Sequence, residues 1–361
     1  MDSKGGKIMT VATIYNLLKK RKLHGPVLVC KNETQPSQLV LNVNRACNFR
    51  CEWCYGKDAN FSEKANMDIE LLYKLVDLAS NLKINSVVLI GGEPTIYPKI
   101  FDAVKYIKQK NMKCILVSNG YKFADIQFLK YMESVNLDLV SISLKAGNAS
   151  LYDELGPQDA YDQIKKAIYN LRTSSIKTGY SFTLNKYNID DLMDIAKLVA
   201  PSSSELWIAF CRPNVTKYGK EKDFLYSYKK MATAVVKSYV DMCQIINNKI
   251  VVAGCFPLCI WPKSFCRELQ VHNCFRQGCQ IFSRKNIIFD ANGNILLCTH
   301  MLDAKLGKYG KEFEDESTFL RFWCGNNLLD TFHGLLKLPY KKCENCPDIT
   351  ICKGGCPLIW I

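Results

Sequence analysis

The segment "CNFRCEWCYG" places Cys47, Cys51 and Cys54 in a C-x3-C-x2-C pattern. Closely spaced thiolates are ligands for zinc and for iron–sulfur clusters. Three of them make an incomplete set, since structural zinc takes four ligands and a four-iron cubane has four corners. An open position is the mark of a catalytic metal centre rather than a structural one. A second group fills the last third of the chain. Cys279, Gly293 and Cys298 frame "IIFDANGNILLC", two β-like runs around Asn292-Gly293, a favoured hairpin turn. Beyond them "CENCPDITICKGGCP" gives Cys343-x2-Cys346-x5-Cys352-x3-Cys356. Isolated Cys30, Cys114, Cys211 and Cys243 read instead as small buried hydrophobes.

The elements that must position these thiols follow a regular rhythm. "SQLVLNV" (38–44), "NSVVLIGG", "MKCILVSNG", "LDLVSISL", "TGYSFTL" and "SELWIAF" are six continuous apolar runs, alternating with helical patterns over residues 67–82, 99–110, 123–135, 158–172 and 189–199. Strands buried on both faces and separated by helices predict a parallel array with right-handed crossovers. Its functional residues belong at the C-terminal strand ends. The polar signals fall there: the cysteine loop after the first strand, "GGEP" (Gly91 to Pro94) after the second, "SNG" (Ser118 to Gly120) after the third, Ser143 and Lys145 on the fourth. The fold class is α/β, a partial (β/α)6 TIM-like barrel followed by a cysteine-rich domain. The expected boundaries are an N-terminal helical or extended segment 1–37, the barrel 38–212, a helical bridging region 213–270 and the cysteine-rich region 271–361. Within the first segment, Ile8, Val11, Ile14, Leu17 and Leu18 fall at helical spacing with Lys19 to Lys22 at the helix end, unlike a signal peptide.

Cys47, Cys51 and Cys54 with Trp53, followed by "GGEP", resemble the signature of the radical S-adenosylmethionine enzymes. The C-terminal spacings resemble the SPASM extension that carries two auxiliary iron–sulfur clusters. The resemblance implies three 4Fe–4S clusters and S-adenosylmethionine, whose methionine moiety fills the open iron. Reductive cleavage of that sulfonium would give a deoxyadenosyl radical, which takes hydrogen from a C–H bond. It implies that Gly91, Gly92 and Glu93 bind the methionine amino group, that Trp53 flanks the adenine, and that Ser143 contacts ribose or carboxylate. Arg45, Asn119 and Asn185 lie at strand ends, as cofactor contacts or as turn residues. Where the peptide-modifying branch has "SLDG", this chain has "SLKAG", so Lys145 stands in place of an acid and either meets a carboxylate or points to solvent.

Carried across by position, Cys274, Cys279, Cys298 and Cys356 would bind the first auxiliary cluster and Cys343, Cys346 and Cys352 the second. Cys266 rivals Cys274, and Cys255 and Cys259 are expected to line the core. The family pattern has a further cysteine downstream. Here an open iron, Asp348, Cys324 or a ligand lost by truncation stands in its place. Zinc knuckles are the other reading of these spacings.

The resemblance implies a maturase that oxidises, crosslinks or epimerises a ribosomally made peptide, possessing or lacking a leader. The residues before the first strand are expected to be too few for a leader-binding domain. The net charge of +14 suits an acidic leader or a flavodoxin- or ferredoxin-type donor. No basic and aromatic stripe points to nucleic acid, and no apolar run points to a membrane. Without an export signal the chain is expected to be cytoplasmic. A radical dehydrogenase or epimerase of a sugar or alcohol is the alternative, and an electron carrier a third. Candidates for a general acid or base, Cys211, Tyr97 and Asp290, rest on residue type alone. Three cubanes predict about twelve irons per chain in anaerobically purified protein, counted by iron analysis. Zinc in their place would overturn the reading.

Overall fold

Runs such as "SVVLI" and "CILV" present apolar side chains to both faces, so they are stable only in the middle of a covered sheet. In the computed structural model, which describes residues 36–56, 66–202, 204–216, 219–220, 227–325 and 339–360, they lie there. Strands β1 (Gln38–Asn42), β2 (Ser86–Ile90), β3 (Lys113–Ser118), β4 (Leu139–Leu144), β5 (Lys177–Leu184) and β6 (Leu206–Phe210) stand side by side in chain order, all parallel. The connecting helices are α1 (Ile69–Asn81), α2 (Ile100–Gln109), α3 (Ile126–Ser134), α4 (Ala149–Leu155), α5 (Ala160–Leu171) and α6 (Leu192–Val199). The helix expected between Ile8 and Leu18, its basic end and Cys30 lie outside the described residues.

Alternation along the strands separates two apolar clusters. Leu39, Leu41, Val87 and Leu89 pack with Leu72, Leu75 and Val76 of α1 in the main core. Val40, Val88, Ile288 and Leu296 face the other way and form a smaller inner cluster, against which Ile90 and Val117 pack. Helix α4 was not legible in the sequence. Asn148 caps it by accepting from Leu151 N (3.3 Å), and its end carries Leu155 O, which accepts from Arg50 N (2.7 Å). The helix therefore backs the cysteine loop.

The sheet continues past the sixth strand. After β7 (Val215–Thr216) and β8 (Gly219–Lys220), which pair antiparallel, come α7 (Tyr228–Ile245) and β9 (Ile250–Gly254), the latter parallel to β6. Helix α8 (Lys263–Val271) leads to β10 (Phe275–Gln277), parallel to β9. On the opposite side β11 (Asn286–Phe289) pairs parallel with β1, and β12 (Asn294–Leu296) and β13 (Lys305–Lys308) follow antiparallel. The eleven-stranded sheet ends at β10 and β13 and is open. The region expected to be a helical bridge thus holds β9, and the cysteine-rich region supplies β11, so the sheet has no break at either expected boundary. No helix of the described residues is long and apolar enough to cross a membrane.

Two acid–base candidates are occupied in holding this frame together. The Tyr97 hydroxyl donates to Met67 O at 2.7 Å. Asp290 is fully buried, and its Oδ1 accepts from Asn292 N and Asn294 N, both at 2.9 Å, at the β11–β12 turn where Gly293 has φ +77°. Asp290→Ala leaves those two amides without their acceptor and is expected to cost about 2–4 kcal/mol in urea unfolding of the metal-free protein. Asp290→Asn, which keeps an acceptor, should lose less.

Candidate active site

The C-terminal ends of β2 to β6 open into a cavity of about 400 Å³, within the range of small-molecule sites. Cys47, Cys51, Trp53 and Cys54 line one side of it. Gly91, Gly92 and Glu93 follow from β2, Ser118 and Asn119 from β3, and Ser143 and Lys145 from β4. Thr183 comes from β5 and Cys211 and Arg212 from the end of β6, while Thr299 and His300 of the C-terminal region close it. Arg45 and Asn185 are not part of this lining. Asn185 Oδ1 accepts from Tyr187 N (2.8 Å) and organises the turn after β5, whereas Arg45 lines an adjoining pocket and its buried Nη1 has no partner among the described residues.

Glu93 is 2% exposed, and its carboxylate is engaged by the protein. Oε1 accepts from Thr95 N (3.0 Å), Thr95 Oγ1 (2.6 Å) and Ser118 Oγ (2.7 Å), and Oε2 accepts from Asn119 N (2.7 Å). The side chain expected to reach for a ligand is first a clamp between the β2 and β3 loops. Asn119 extends the clamp, for its Nδ2 donates to Asn48 Oδ1 at 2.7 Å inside the cysteine loop. A Cβ on Gly92 would stand 2.2 Å from Ala46 O, and one on Gly91 2.0 Å from Asn44 Oδ1, so only glycine lets the two loops touch. Lys145 turns inward, with Nζ donating to Ser143 Oγ at 2.8 Å. Trp53 is 7% exposed and stacks on Tyr187 with ring centres 6.0 Å apart.

The donor set fits a thiolate-held cluster. Burial pushes the Cys47 thiol up to about 12 and the Cys51 thiol up as well, while Lys145 pulls both down. Without a further cation these thiols stay protonated, and metal binding deprotonates them. Cys47 Sγ accepts from Phe49 N (3.4 Å) and Cys54 Sγ from Gly56 N (3.3 Å), bonds that support thiolate charge. Among the described residues no three His, Cys, Asp or Glu side chains gather closely enough to share one metal ion. A cubane takes each thiolate on a different iron and so needs them farther apart.

The C-terminal cysteines divide differently from the sequence expectation. Cys255, Cys356 and, at its edge, Cys279 and Cys298 share one buried cluster, and Cys356 N donates to Cys255 O at 3.0 Å. Cys255 donates to Cys279, which lowers the Cys279 thiol to about 7 and raises Cys255. Cys274 sits apart: it is buried, its thiol contacts His272 O at 3.4 Å, and its thiol neighbour is Cys243, beside Tyr239. Position in the chain pointed to Cys274; the fold brings Cys255 rather than Cys274 beside Cys279, Cys298 and Cys356. Cys352 Sγ accepts from Leu258 N (3.3 Å), so the tail is seated on the "GCFPLC" turn, and Asp348 acts electrostatically on Cys266.

Sequence reasoning missed Arg212, Asn214 and His300, although His300 follows Cys298 by two residues. Asn214 Nδ2 donates to Cys54 O (2.9 Å), which turns its Oδ1 toward His300 Nδ1 at 3.1 Å. That orientation puts the imidazole proton on Nδ1. Burial and the nearby Arg212 hold the His300 pKa down to about 3 from 6.5. The unfolded chain therefore binds the extra proton first, and stability falls as pH drops from about 6.5 toward 3, by up to about 1.4 kcal/mol per pH unit. Urea unfolding of the metal-free protein at pH 7.5, 6 and 5 is expected to show this loss, and His300→Gln to lack that part of it.

Residues 41–199 match the model of the radical SAM superfamily. Over 179 residues the chain is 26% identical to the Fe-coproporphyrin III synthase of Methanosarcina barkeri, covering 50% of this chain and 44% of that protein. Over 164 residues it is 27% identical to a probable GTP 3',8-cyclase of Thermococcus kodakarensis, covering 44% and 53%. The chain spans about half the length of the curated relatives it matches. In fold it is similar to Streptococcus suis SuiB bound to the precursor peptide SuiA (TM-score 0.66, 18% identity, 90% of this chain and 73% of that one). It is also similar to anSMEcpe with bound AdoMet and the Kp18Cys peptide (TM-score 0.62, 14% identity, 89% of each chain). With its three-thiol loop and its parallel βα array, the segment 41–199 of the chain matches a radical SAM domain.

Proposed function

We propose that this radical SAM enzyme modifies a ribosomally made peptide. The observation that carries the reading is the single cavity in which Cys47, Cys51 and Cys54 face the GGEP loop on one side and Thr299 and His300 of the cysteine-rich region on the other. Cys47, Cys51 and Cys54 would hold one 4Fe–4S cluster, Cys255, Cys279, Cys298 and Cys356 a second, and Cys343, Cys346 and Cys352 a third. When bound, the first cluster and S-adenosylmethionine supply reductive cleavage and hydrogen abstraction.

The chain's own residues bind and orient. The β2 loop offers backbone carbonyls and the spare acceptor capacity of Glu93 Oε2 to an ammonium group. Lys145 offers a cation to the cofactor carboxylate, Ser143 a hydroxyl, and Trp53 an apolar ring to the adenine. The apolar floor at Ile90, Val117 and buried Phe210 limits water where a reactive intermediate would be quenched.

The fold likeness to two peptide-bound proteins supports a peptide substrate, and the charge of +14 suits an acidic leader or an acidic flavodoxin- or ferredoxin-type donor. A small-molecule substrate is the second reading, favoured by the names of the sequence relatives. Anaerobic protein given dithionite and S-adenosylmethionine should form deoxyadenosine, and Cys47→Ala, Cys51→Ala and Cys54→Ala should each abolish it. No deoxyadenosine from the iron-loaded protein would refute the enzyme. A mass change in a short precursor peptide encoded nearby would separate the two substrate readings. For the ligand set, Cys255→Ser is expected to lower the iron content by about four per chain, whereas Cys274→Ser leaves it unchanged.

A further inference from the structure

We propose that the exposed lysines around Tyr187, on the turn after β5 and the first half of α7, form the docking face of an acidic one-electron carrier protein that reduces the site at Cys47, Cys51 and Cys54. The inference rests on the reading of those three cysteines as the thiolates of a reducible cluster. The turn after β5 is held in place by its asparagines. Asn185 N donates to Asn188 Oδ1 at 2.8 Å, Asn185 Oδ1 accepts from Tyr187 N at 2.8 Å, and Asn188 Nδ2 donates to Lys145 O at 2.9 Å. The turn sets the Tyr187 ring against Trp53, with ring centres 6.0 Å and planes 29° apart. Trp53 is 7% exposed and Tyr187 45%, so the stacked pair runs from the surface to the residue that precedes Cys54.

The charge around the outer ring is mostly positive. Lys186 Nζ stands over the Tyr187 ring at 4.9 Å. Farther along the same turn, Ile189 and Asp190 line a cleft of about 610 Å³ to which α7 contributes Lys229, Lys230 and Lys237. All four lysines are exposed, and Asp190 is the one carboxylate in the cleft lining. Met231, Val235, Tyr239 and Met242 bury the other face of α7, so helical periodicity turns Lys230 and Lys237 outward together. Cations at the rim of an interface raise the rate at which an acidic partner is met. Weak redox complexes bury less than about 1,200 Å², so a rim of lysines around one aromatic ring is enough to seat one. An acidic peptide would meet the same lysines, but the stacked rings give this face a path into the cysteine loop that only a redox partner uses. The carrier loses one electron there and the first cysteine site gains it; no bond forms between the two proteins.

The test compares two reductants on the anaerobically reconstituted protein: dithionite, which needs no docking, and a purified, photoreduced flavodoxin. Lys186→Glu and the double change Lys229→Glu with Lys237→Glu are each expected to raise the KM for flavodoxin in deoxyadenosine formation about tenfold, with the dithionite-driven rate unchanged. Lys177→Glu, at the opposite end of β5, should alter neither. A binding readout without turnover should agree. Carbodiimide coupling of oxidised flavodoxin is expected to join its carboxylates to Lys186, Lys229 or Lys237, located by mass spectrometry, and to fade as salt is raised. Equal flavodoxin KM in the wild type and the charge-reversed variants, coupling only at lysines elsewhere, or a wild type driven by dithionite and not by flavodoxin would overturn the proposal. So would variants that lose binding of a poly-glutamate peptide and keep flavodoxin-driven turnover, which would assign the face to a peptide. A wild type that forms no deoxyadenosine with dithionite would instead overturn the reading of the cysteine trio beneath it.

Discussion

The site depends on one buried carboxylate. Glu93 has left water, and a desolvated anion is tolerated only when hydrogen bonds replace its hydration. Here the replacements come from its own turn and from the end of β3, so the cost of burial holds two neighbouring strand ends at one fixed separation. Through Asn119 and Asn48 the constraint passes to the cysteine loop. The geometry of three thiols on a loop thus derives from the rigid sheet beneath it. Sites supported in this way hold their reacting groups more accurately than sites on free loops.

The strand–helix rhythm was legible because each element repeats a local pattern. All six strands and five of the six barrel helices lie where continuous apolar runs and helical periodicity put them. Helix α4 escaped because it is short and begins in a polar stretch, with only Asn148 to announce it. The lining of the cavity by Cys47, Cys51, Cys54, Gly91, Glu93, Asn119 and Ser143 followed from strand ends alone. The roles within that lining did not. Whether Glu93 or Asn119 meets a ligand or a neighbouring amide depends on which loop stands beside it, and neighbouring loops are distant in sequence. The same holds for Cys274 and Cys255. Spacing favours the cysteine nearest Cys279, but α8 and β10 carry Cys274 away while the Cys356 amide meets Cys255.

Charge in the cavity is partitioned by strand. Lys145 follows β4 and acts on Cys47 and Cys51 of the first thiol trio, and Arg212 follows β6 and acts on the tail quartet. Between them His300 stays neutral, its tautomer fixed through Asn214 by the backbone carbonyl of Cys54. One short segment after β6 therefore bonds to Cys54 O through Asn214 and to His300 O through Val215 N. Changes at either cysteine group have a short route to the other through it.

The parallel pairing of β1 with β11 sets an order of events during synthesis. Gln38 and Asn286 are register partners, so that flank of the first strand lacks this neighbour until residues 286–289, some 250 positions later, have left the ribosome. Until then that flank offers unpaired amides and carbonyls, a template for aggregation. The nascent protein must be sheltered over that interval, and the region that carries eight of the eighteen cysteines also supplies the strand that covers that flank.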